Sequence, residues 1–557
     1  MKKILLFSFV LILSNFITAQ EEWNVAWKML QKPFMYEGIG SEMSIVKAGF
    51  DTDQDGKGEF LCAWTDLDSN YTLMYEANGD DTYELVWHWK HPVSTNSFAM
   101  VEVGDVDNNG VVDLVFALPS AVSGDDPNPL RLWAYTWTGV VGENEYGIVS
   151  GFNPGPTSYW NFDLEDNVDF RPYSLIIEDI DSDGKNELIV GQRNSSENIH
   201  VLVCSVDEFN FFSVWKVEYE YSYNAGGGVY NVTTGDLDND GNREIYVFTW
   251  DLFTFTILEC TGEGEFTEAF SVKNLYSDAG IDYGALESVR VADADNDGDN
   301  ELYIAGTESD NALFIIDNVT DVEAITADDI KLFYKIPAIA EGKLRTMHIA
   351  DPDDDGNIDL MIAGERNGQI YKLEYAGSGS PSDSANWNLD VIFDVWDYSG
   401  FSPDSANTLS PRFFYGSPAT DMDGDGKSEY LFVNYSNDQS EWADDPYLWI
   451  IESSITVGVE KKNDFIPNEF SLKQNYPNPF NPSTTIEYSI PSNSEYVEIS
   501  VFDILGNEIV TLVNEEQDAG NYRIRFNAAE YNLSSGIYFY KLNTNNFSDT
   551  KKLMLIK

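Results

Sequence analysis

A nine-residue acidic pattern, D-x-D-x-[DN]-G-x-x-[DE], occurs seven times in this chain, beginning at Asp51, Asp105, Asp179, Asp236, Asp293, Asp351 and Asp421. The intervals run from 54 to 74 residues, and three of them are 57, 57 and 58. A period on that scale constrains the fold more than any single residue does. Each unit is one supersecondary element that cannot bury its apolar face alone, so units stack on one another. Short apolar segments such as Leu175-Ile176-Ile177 precede the loops, and runs such as Leu188-Ile189-Val190 and Leu302-Tyr303-Ile304 follow them. Their length and their β-branched and aromatic content predict buried strands, so the unit is strand, acidic loop, strand.

The recurring residues also define a chemistry. In the fourth copy, acids fall at positions 1, 3, 5 and 9 (Asp236, Asp238, Asp240, Glu244) and glycine at position 6 (Gly241). Alternate positions of a tight loop converge on one point, and the glycine permits the sharp turn. The corresponding residues are Asp51, Asp53, Asp55 and Glu59; Asp105, Asp107, Asn109 and Asp113; and Asp179, Asp181, Asp183 and Glu187. In the later copies they are Asp293, Asp295, Asp297 and Glu301; Asp351, Asp353, Asp355 and Asp359; and Asp421, Asp423, Asp425 and Glu429. These are hard oxygen ligands suited to Ca²⁺, with up to seven ions expected; zinc or copper would call for His or Cys, which the loops lack. Asn109 makes the second copy the weaker binder. An EF-hand is excluded, because it needs a bidentate Glu at position 12 and flanking helices. Position 12 is instead Cys62, Phe116, Val190, Val247, Ile304, Ile362 and Phe432, all apolar.

The formal charge of −63 sets this chemistry in an extremely acidic surface, which repels nucleic acid and anionic membrane. Seven divalent ions would bring that charge only to −49, so most of it is solvated surface. Met1-Lys2-Lys3 followed by the apolar run Ile4 to Leu13 predicts a secretory signal peptide over residues 1–19, with cleavage after Ala19 and no transmembrane segment thereafter. The three cysteines, Cys62, Cys204 and Cys260, are too few and too scattered for a disulfide framework, which leaves metal as the expected source of extra stability.

The segment Gly104-Asp105-Val106-Asp107-Asn108-Asn109-Gly110-Val111-Val112-Asp113-Leu114-Val115-Phe116 resembles the FG-GAP repeat of integrin α-subunit propellers and the VCBS repeats of secreted bacterial proteins, as does Ile349 to Gly364. The resemblance implies an all-β, seven-bladed β-propeller over residues 20–452, with four strands per blade and calcium-binding loops. Ring closure also removes the open edges of a linear stack. Glu22 to Val46 is expected to supply strands that complete the last blade, around Tyr430 to Ile451. The two long intervals predict insertions, one at Gly151 to Trp160 and one at Ser378 to Phe401. The latter carries Trp387, Trp396 and Tyr398, which are expected to pack in the blades rather than form a binding platform.

Residues 453–469 read as a polar linker. Beyond it, Asn475-Tyr476-Pro477-Asn478-Pro479-Phe480 enters extended. Alternation at Val497, Ile499 and Val501, with further runs at Ile509–Val513, Tyr522–Phe526, Ile537–Leu542 and Lys552–Ile556, predicts a small β-sandwich over 470–557. The Tyr476–Phe480 segment, Ser535-Gly536-Ile537-Tyr538 and the terminal Lys551 to Lys557 resemble the C-terminal sorting domain of type IX secretion cargo, an Ig-like β-sandwich. That resemblance implies the type IX secretion machinery as a partner, and a secreted or outer-membrane cell-surface location.

Catalytic signals are thin. His88, His91, His200 and His348 show no zinc spacing, no G-x-S-x-G is present, and Gly426-Lys427-Ser428 belongs to an acidic loop rather than a P-loop. The leading expectation is a calcium-stabilised binding or adhesion module for an extracellular glycan or protein. The alternatives are a glycan-active enzyme such as a polysaccharide lyase, or a passive surface protein.

Overall fold

In a computed structural model the described residues run from 23 to 555, with gaps of which the longer are 35–41, 93–98, 120–129, 223–228, 276–283, 464–469 and 529–535. The expected signal peptide lies outside the described residues, as do Asp353 and Asp355 of the sixth loop.

Between Trp23 and Thr456 the described residues form seven four-stranded antiparallel sheets. The first is Glu42–Phe50, Glu59–Thr65, Asn70–Gly79 and Thr82–Lys90, paired in chain order. Five more sheets follow the same meander, opening with the strands Met100–Gly104, Pro172–Glu178, Val229–Gly235, Gly284–Ala292 and Lys343–Ala350. The seventh combines both ends of the repeat region. Phe413–Thr420, Lys427–Asn434 and Leu448–Thr456 come from its end, and the fourth strand, Trp23–Met29, comes from its start and pairs with Leu448–Thr456. First strands pack on one another in cyclic order, and Phe413–Thr420 packs on Glu42–Phe50, so the sheets form a closed propeller ring. Closure thus needs one N-terminal strand, not several, because Glu42–Phe50 belongs to the first sheet.

This arrangement accounts for the apolar runs. Glu59–Thr65, Glu187–Gln192 and Glu244–Thr249 are buried at every position, since neighbouring sheets cover both of their faces. Rim strands such as Thr82–Lys90 instead mix buried and exposed residues. At the closing seam Trp27 lies against Phe60, Tyr75 and Tyr83 of the first sheet, with ring centroids 6.0, 5.6 and 5.8 Å apart. The three cysteines are buried and unpaired.

Part of the first expected insertion is a blade strand. Ser158–Trp160 is the fourth strand of the second sheet, too short to show an alternation, and the extra element is the hairpin Ile148–Val149 with Pro154–Gly155. In the second expected insertion Trp387 and Trp396 are buried, on the fourth strand of the sixth sheet and on the short helix Val395–Ser399, and Tyr398 is exposed.

The C-terminal part is a sandwich of two four-stranded sheets with its own core, including Ile486, Tyr488, Val497, Ile499, Tyr540 and Leu553. The stretch expected as linker contains strand at both of its described parts. The seventh sheet runs to Thr456, and Val459–Asn463 pairs with Gly520–Asn527 as an edge strand of the sandwich. Its Glu460-Lys461-Lys462 sequence reads as linker because charged residues are how sheet edges resist further pairing. Asn475 and Asn478 of the incoming segment are stitched into the sandwich. The Asn475 N–H donates to the Tyr540 hydroxyl at 2.7 Å, Asn478 Nδ2 donates to the Lys552 carbonyl at 3.0 Å, and the Met554 N–H donates to Asn478 Oδ1 at 3.0 Å.

Trp27→Ala is expected to cost about 2–4 kcal/mol, the scale for removing a large aromatic from a packed contact. Denaturant unfolding followed by tryptophan fluorescence measures it; a loss within the error of a surface substitution would show that the seam does not depend on this ring.

Candidate metal centres

Each loop is wound by its own acids. The position-1 carboxylate accepts the N–H of the glycine at position 6, at 3.0 Å in Asp51, 2.7 Å in Asp105, 3.0 Å in Asp179, 3.2 Å in Asp236 and 3.0 Å in Asp293. Position 5 accepts the N–H of position 7, as Lys57 to Asp55 at 2.9 Å and Asn242 to Asp240 at 2.7 Å. In the six copies where it is described, that glycine has φ between 82° and 95°, which a side chain would strain.

The acid at position 9 lies on the second strand and is buried in the described copies. One of its oxygens accepts the N–H of position 2: Thr52 at 2.7 Å, Val106 at 3.2 Å, Ile180 at 3.1 Å, Leu237 at 2.8 Å, Ala294 at 3.0 Å and Met422 at 2.9 Å. Position 2 is itself buried there, so each loop is pinned to the core from both ends. Sequence reading missed this position because its residue type varies.

What remains in these loops is carboxylate oxygen without a partner. Glu59 Oε1, Glu244 Oε1, Glu429 Oε1, Asp179 Oδ1, Asp236 Oδ1 and Asp295 Oδ1 are all buried with no hydrogen-bond partner. Burial pushes Glu59 up to about 9 and Glu187, Glu244 and Glu301 up to about 8, with neighbouring aspartates adding to the shift. Burial likewise raises Glu429 well above the usual range. A carboxylate in this state either keeps a proton or meets a positive charge, and an all-oxygen set with free lone pairs fits a hard divalent cation. Ligand atoms of Asp51, Asp53 and Asp55 lie within 4.8 Å of one another, as do those of Asp105, Asp107 and Asp113, and of Asp421, Asp423, Asp425 and Glu429.

Two copies depart from the rest. In the second, both oxygens of Asp113 are engaged, one by the Thr136 hydroxyl at 2.6 Å and the other by Val106, and burial raises its pKa to about 8. In the sixth, position 2 is Pro352, which has no N–H to give, and Lys372 Nζ stands 3.5 Å from Asp359 with both side chains almost fully buried.

The loops also hold neighbouring sheets together. The second oxygen of the position-3 aspartate accepts a donor from the next sheet round the ring: Phe209 N–H to Asp107 at 2.5 Å, Gly264 to Asp181 at 3.0 Å, Val322 to Asp238 at 2.9 Å and Asp81 to Asp423 at 2.7 Å. Asp53 receives the Asn144 amide at 3.0 Å in the same way. Position 8 adds a second link. Asn186 Nδ2 donates to the Asp105 carbonyl at 2.7 Å, and Asn300 Nδ2 donates to that of Asp236 at 2.6 Å. Acids facing position 9 across the sheet, Glu76, Glu259, Glu374 and Glu452, were also missed, because their distance along the chain changes with hairpin length.

A ring of antiparallel sheets with repeated acidic loops, followed by a separate sandwich, defines the class of protein. Comparison with known families gives the particulars. Residues 51–116 and 179–247 match the FG-GAP-like repeat, and residues 474–557 match the secretion system C-terminal sorting domain. The chain therefore carries FG-GAP-like repeats and ends in a sorting domain that directs type IX export, to the cell surface or the extracellular space. No curated protein matches. Among solved structures, a fructofuranosidase from Schwanniomyces occidentalis complexed with fructose is similar at 10% identity, over 69% of this chain and 90% of that one, with a TM-score of 0.23. Dimeric latent PorU from Porphyromonas gingivalis is similar at 12% identity, over 75% of this chain and 36% of that one, with a TM-score of 0.14. The fold rests on the strand pairing rather than on either likeness. Among the described residues no helix is long and apolar enough to cross a membrane.

At the seam between the seventh and first loops, the Gly58 N–H donates to the Met422 carbonyl at 2.8 Å, and a Cβ on Gly58 would lie 2.8 Å from Met422 Cα. Gly58→Ala is therefore expected to cost about 1–3 kcal/mol, the scale of overpacking against backbone. An unchanged thermal midpoint would refute that close approach.

Proposed function

We propose that the protein is a calcium-stabilised β-propeller, exported by type IX secretion, that acts outside the cell as a binding module for glycan or protein. The buried, unpartnered carboxylate oxygens of the first, third, fourth, fifth and seventh loops carry the calcium reading. Those five loops hold Ca²⁺ more tightly than the second and sixth, where Thr136 and Lys372 already occupy the position-9 acid. An ion that binds only the folded ring contributes about 2.7 kcal/mol at a hundredfold excess over its dissociation constant. Several together match the roughly 5–15 kcal/mol of an ordinary domain.

Support for the binding role comes from a groove of about 830 Å³ on the rim, between the closing strand and the fourth strand of the sixth sheet. Leu30, Phe393, Tyr398 and Ile451 give it apolar walls, and Lys28 and Asp397 give it charge. Lys28 Nζ donates to the Tyr398 hydroxyl at 2.8 Å, which fixes an exposed ring beside polar groups. An aromatic face next to hydrogen-bonding side chains suits a sugar ring.

Asp238→Ala is expected to lower the bound calcium by about one per chain and to reduce the thermal midpoint measured in calcium. Elemental analysis of the same sample decides the point, since an unchanged count removes Asp238 from the ligand set. Tyr398→Ala should abolish glycan retention on an array without altering calcium content; equal retention by both proteins would move the binding site elsewhere. Deletion of residues 470–557 should leave the ring folded but held in the periplasm of the native host, and normal surface delivery of that truncation would overturn the sorting role.

A further inference from the structure

The closing seam carries a group of four carboxylates, three of which the nine-residue pattern does not contain. Asp80 and Asp81 stand in the turn joining the third and fourth strands of the first sheet. Asp423 is position 3 of the seventh loop. Glu452 lies on the third strand of the seventh sheet, paired with Glu429 on one side and with Asn24 of the closing strand on the other. One oxygen from each of Asp80, Asp81, Asp423 and Glu452 falls within 4.8 Å of the others. The Asp81 N–H donates to Asp423 at 2.7 Å, so the turn is already seated against the loop.

Two buried oxygen atoms, one within this cluster and one on the neighbouring Tyr83, lack a hydrogen-bond partner. Glu452 is 7% exposed; its Oε2 accepts from Lys427 at 2.7 Å, and its Oε1 is buried and unpartnered. Tyr83 is 9% exposed, and its buried hydroxyl has no partner either. The charge balance points the same way. Asp80, Asp81, Asp421, Asp423, Asp425, Glu429 and Glu452 are seven carboxylates in two overlapping groups, and Lys427 bonds to two of them. One divalent ion in the seventh loop, together with that ammonium, supplies three positive charges against seven negative.

We propose that the seam binds a second hard divalent cation, calcium by its all-oxygen donor set, held by Asp80, Asp81, Asp423 and Glu452, with Asp423 bridging it to the ion of the seventh loop. The inference rests on the calcium reading of that loop. Its consequence is a metal staple across the place where the ring closes, joining the rim of the first sheet to the strand that receives the N-terminal segment. The Glu452 Oε1 and Tyr83 hydroxyl then face a cation and its water rather than an unpaired cavity.

The test is the calcium content of the full chain, by elemental analysis after equilibration in millimolar calcium, for the wild type, D80N/D81N and E452Q. Both turn residues are exposed, so D80N/D81N is expected to fold, with circular dichroism as the check. The expected result is one ion fewer per chain in D80N/D81N, and the same single loss in E452Q. The triple variant should lose no further ion, because all these residues serve one site. The thermal midpoint of D80N/D81N should fall in calcium and match wild type in chelator. A wild-type protein that holds calcium in its loops while D80N/D81N keeps the full count overturns this inference alone. Two ions lost in the triple variant would also overturn it, by assigning Glu452 to a different site. A wild-type chain that binds no calcium overturns the reading of the loops and of the seam together.

Discussion

An acid at the start of a fully buried strand is the constraint on which the repeat depends. Glu59, Asp113, Glu187, Glu244, Glu301, Asp359 and Glu429 sit where neighbouring sheets cover both faces, and water cannot solvate them. An unpaired carboxylate in such a place costs several kcal/mol or takes up a proton. In every copy but the sixth, one oxygen is satisfied by the N–H of position 2, which ties the loop down. In Glu59, Glu244 and Glu429 the other oxygen is buried with no hydrogen-bond partner. The sixth sheet meets the same demand with Lys372 and the second with the Thr136 hydroxyl, so the requirement is electrostatic and has more than one chemical answer.

The same loops join the sheets to one another. A propeller has few backbone hydrogen bonds between blades, since each sheet is complete in itself, and side-chain packing supplies most of the contact. Here the position-3 aspartate spends one oxygen inside its own loop and the other on the next sheet, as Asp238 does with Asp240 and Val322. Asn186 and Asn300 bridge the same boundary. Anything that orders a loop therefore also orders the boundary beside it, and the stability of the ring is cooperative between blades.

The sequence displayed the units, the strands on either side of each loop and the sandwich, because those features recur at fixed offsets or alternate over several residues. It displayed less of the ring's joinery. Gly58, Asn186 and Asn300 occupy one position but differ in type, and Glu76 and Glu452 are reached only through hairpins of different length. The edge strand Val459–Asn463 reads as linker since its run Glu460-Lys461-Lys462 shows no apolar alternation. Within the sandwich, Ser483–Ile490 passes unnoticed behind three prolines, although it is the strand that pairs with Gly520–Asn527 along its whole length.

Ring and sandwich answer to different physics. The sandwich has an apolar core running from Leu472 to Leu555, with a few neutral polar side chains such as Asn475, Thr484 and Gln517 buried beside it. Among the described residues its buried polar contacts, such as the Asn475 side-chain amide donating to the Thr484 hydroxyl at 2.8 Å, join neutral groups. The ring concentrates buried acids. Among the described residues the sorting domain buries no charge and so requires no counter-ion, whereas the ring must pair or protonate the carboxylates it buries. The part that addresses the chain for export therefore has no share in the electrostatic demand that shapes the part it delivers.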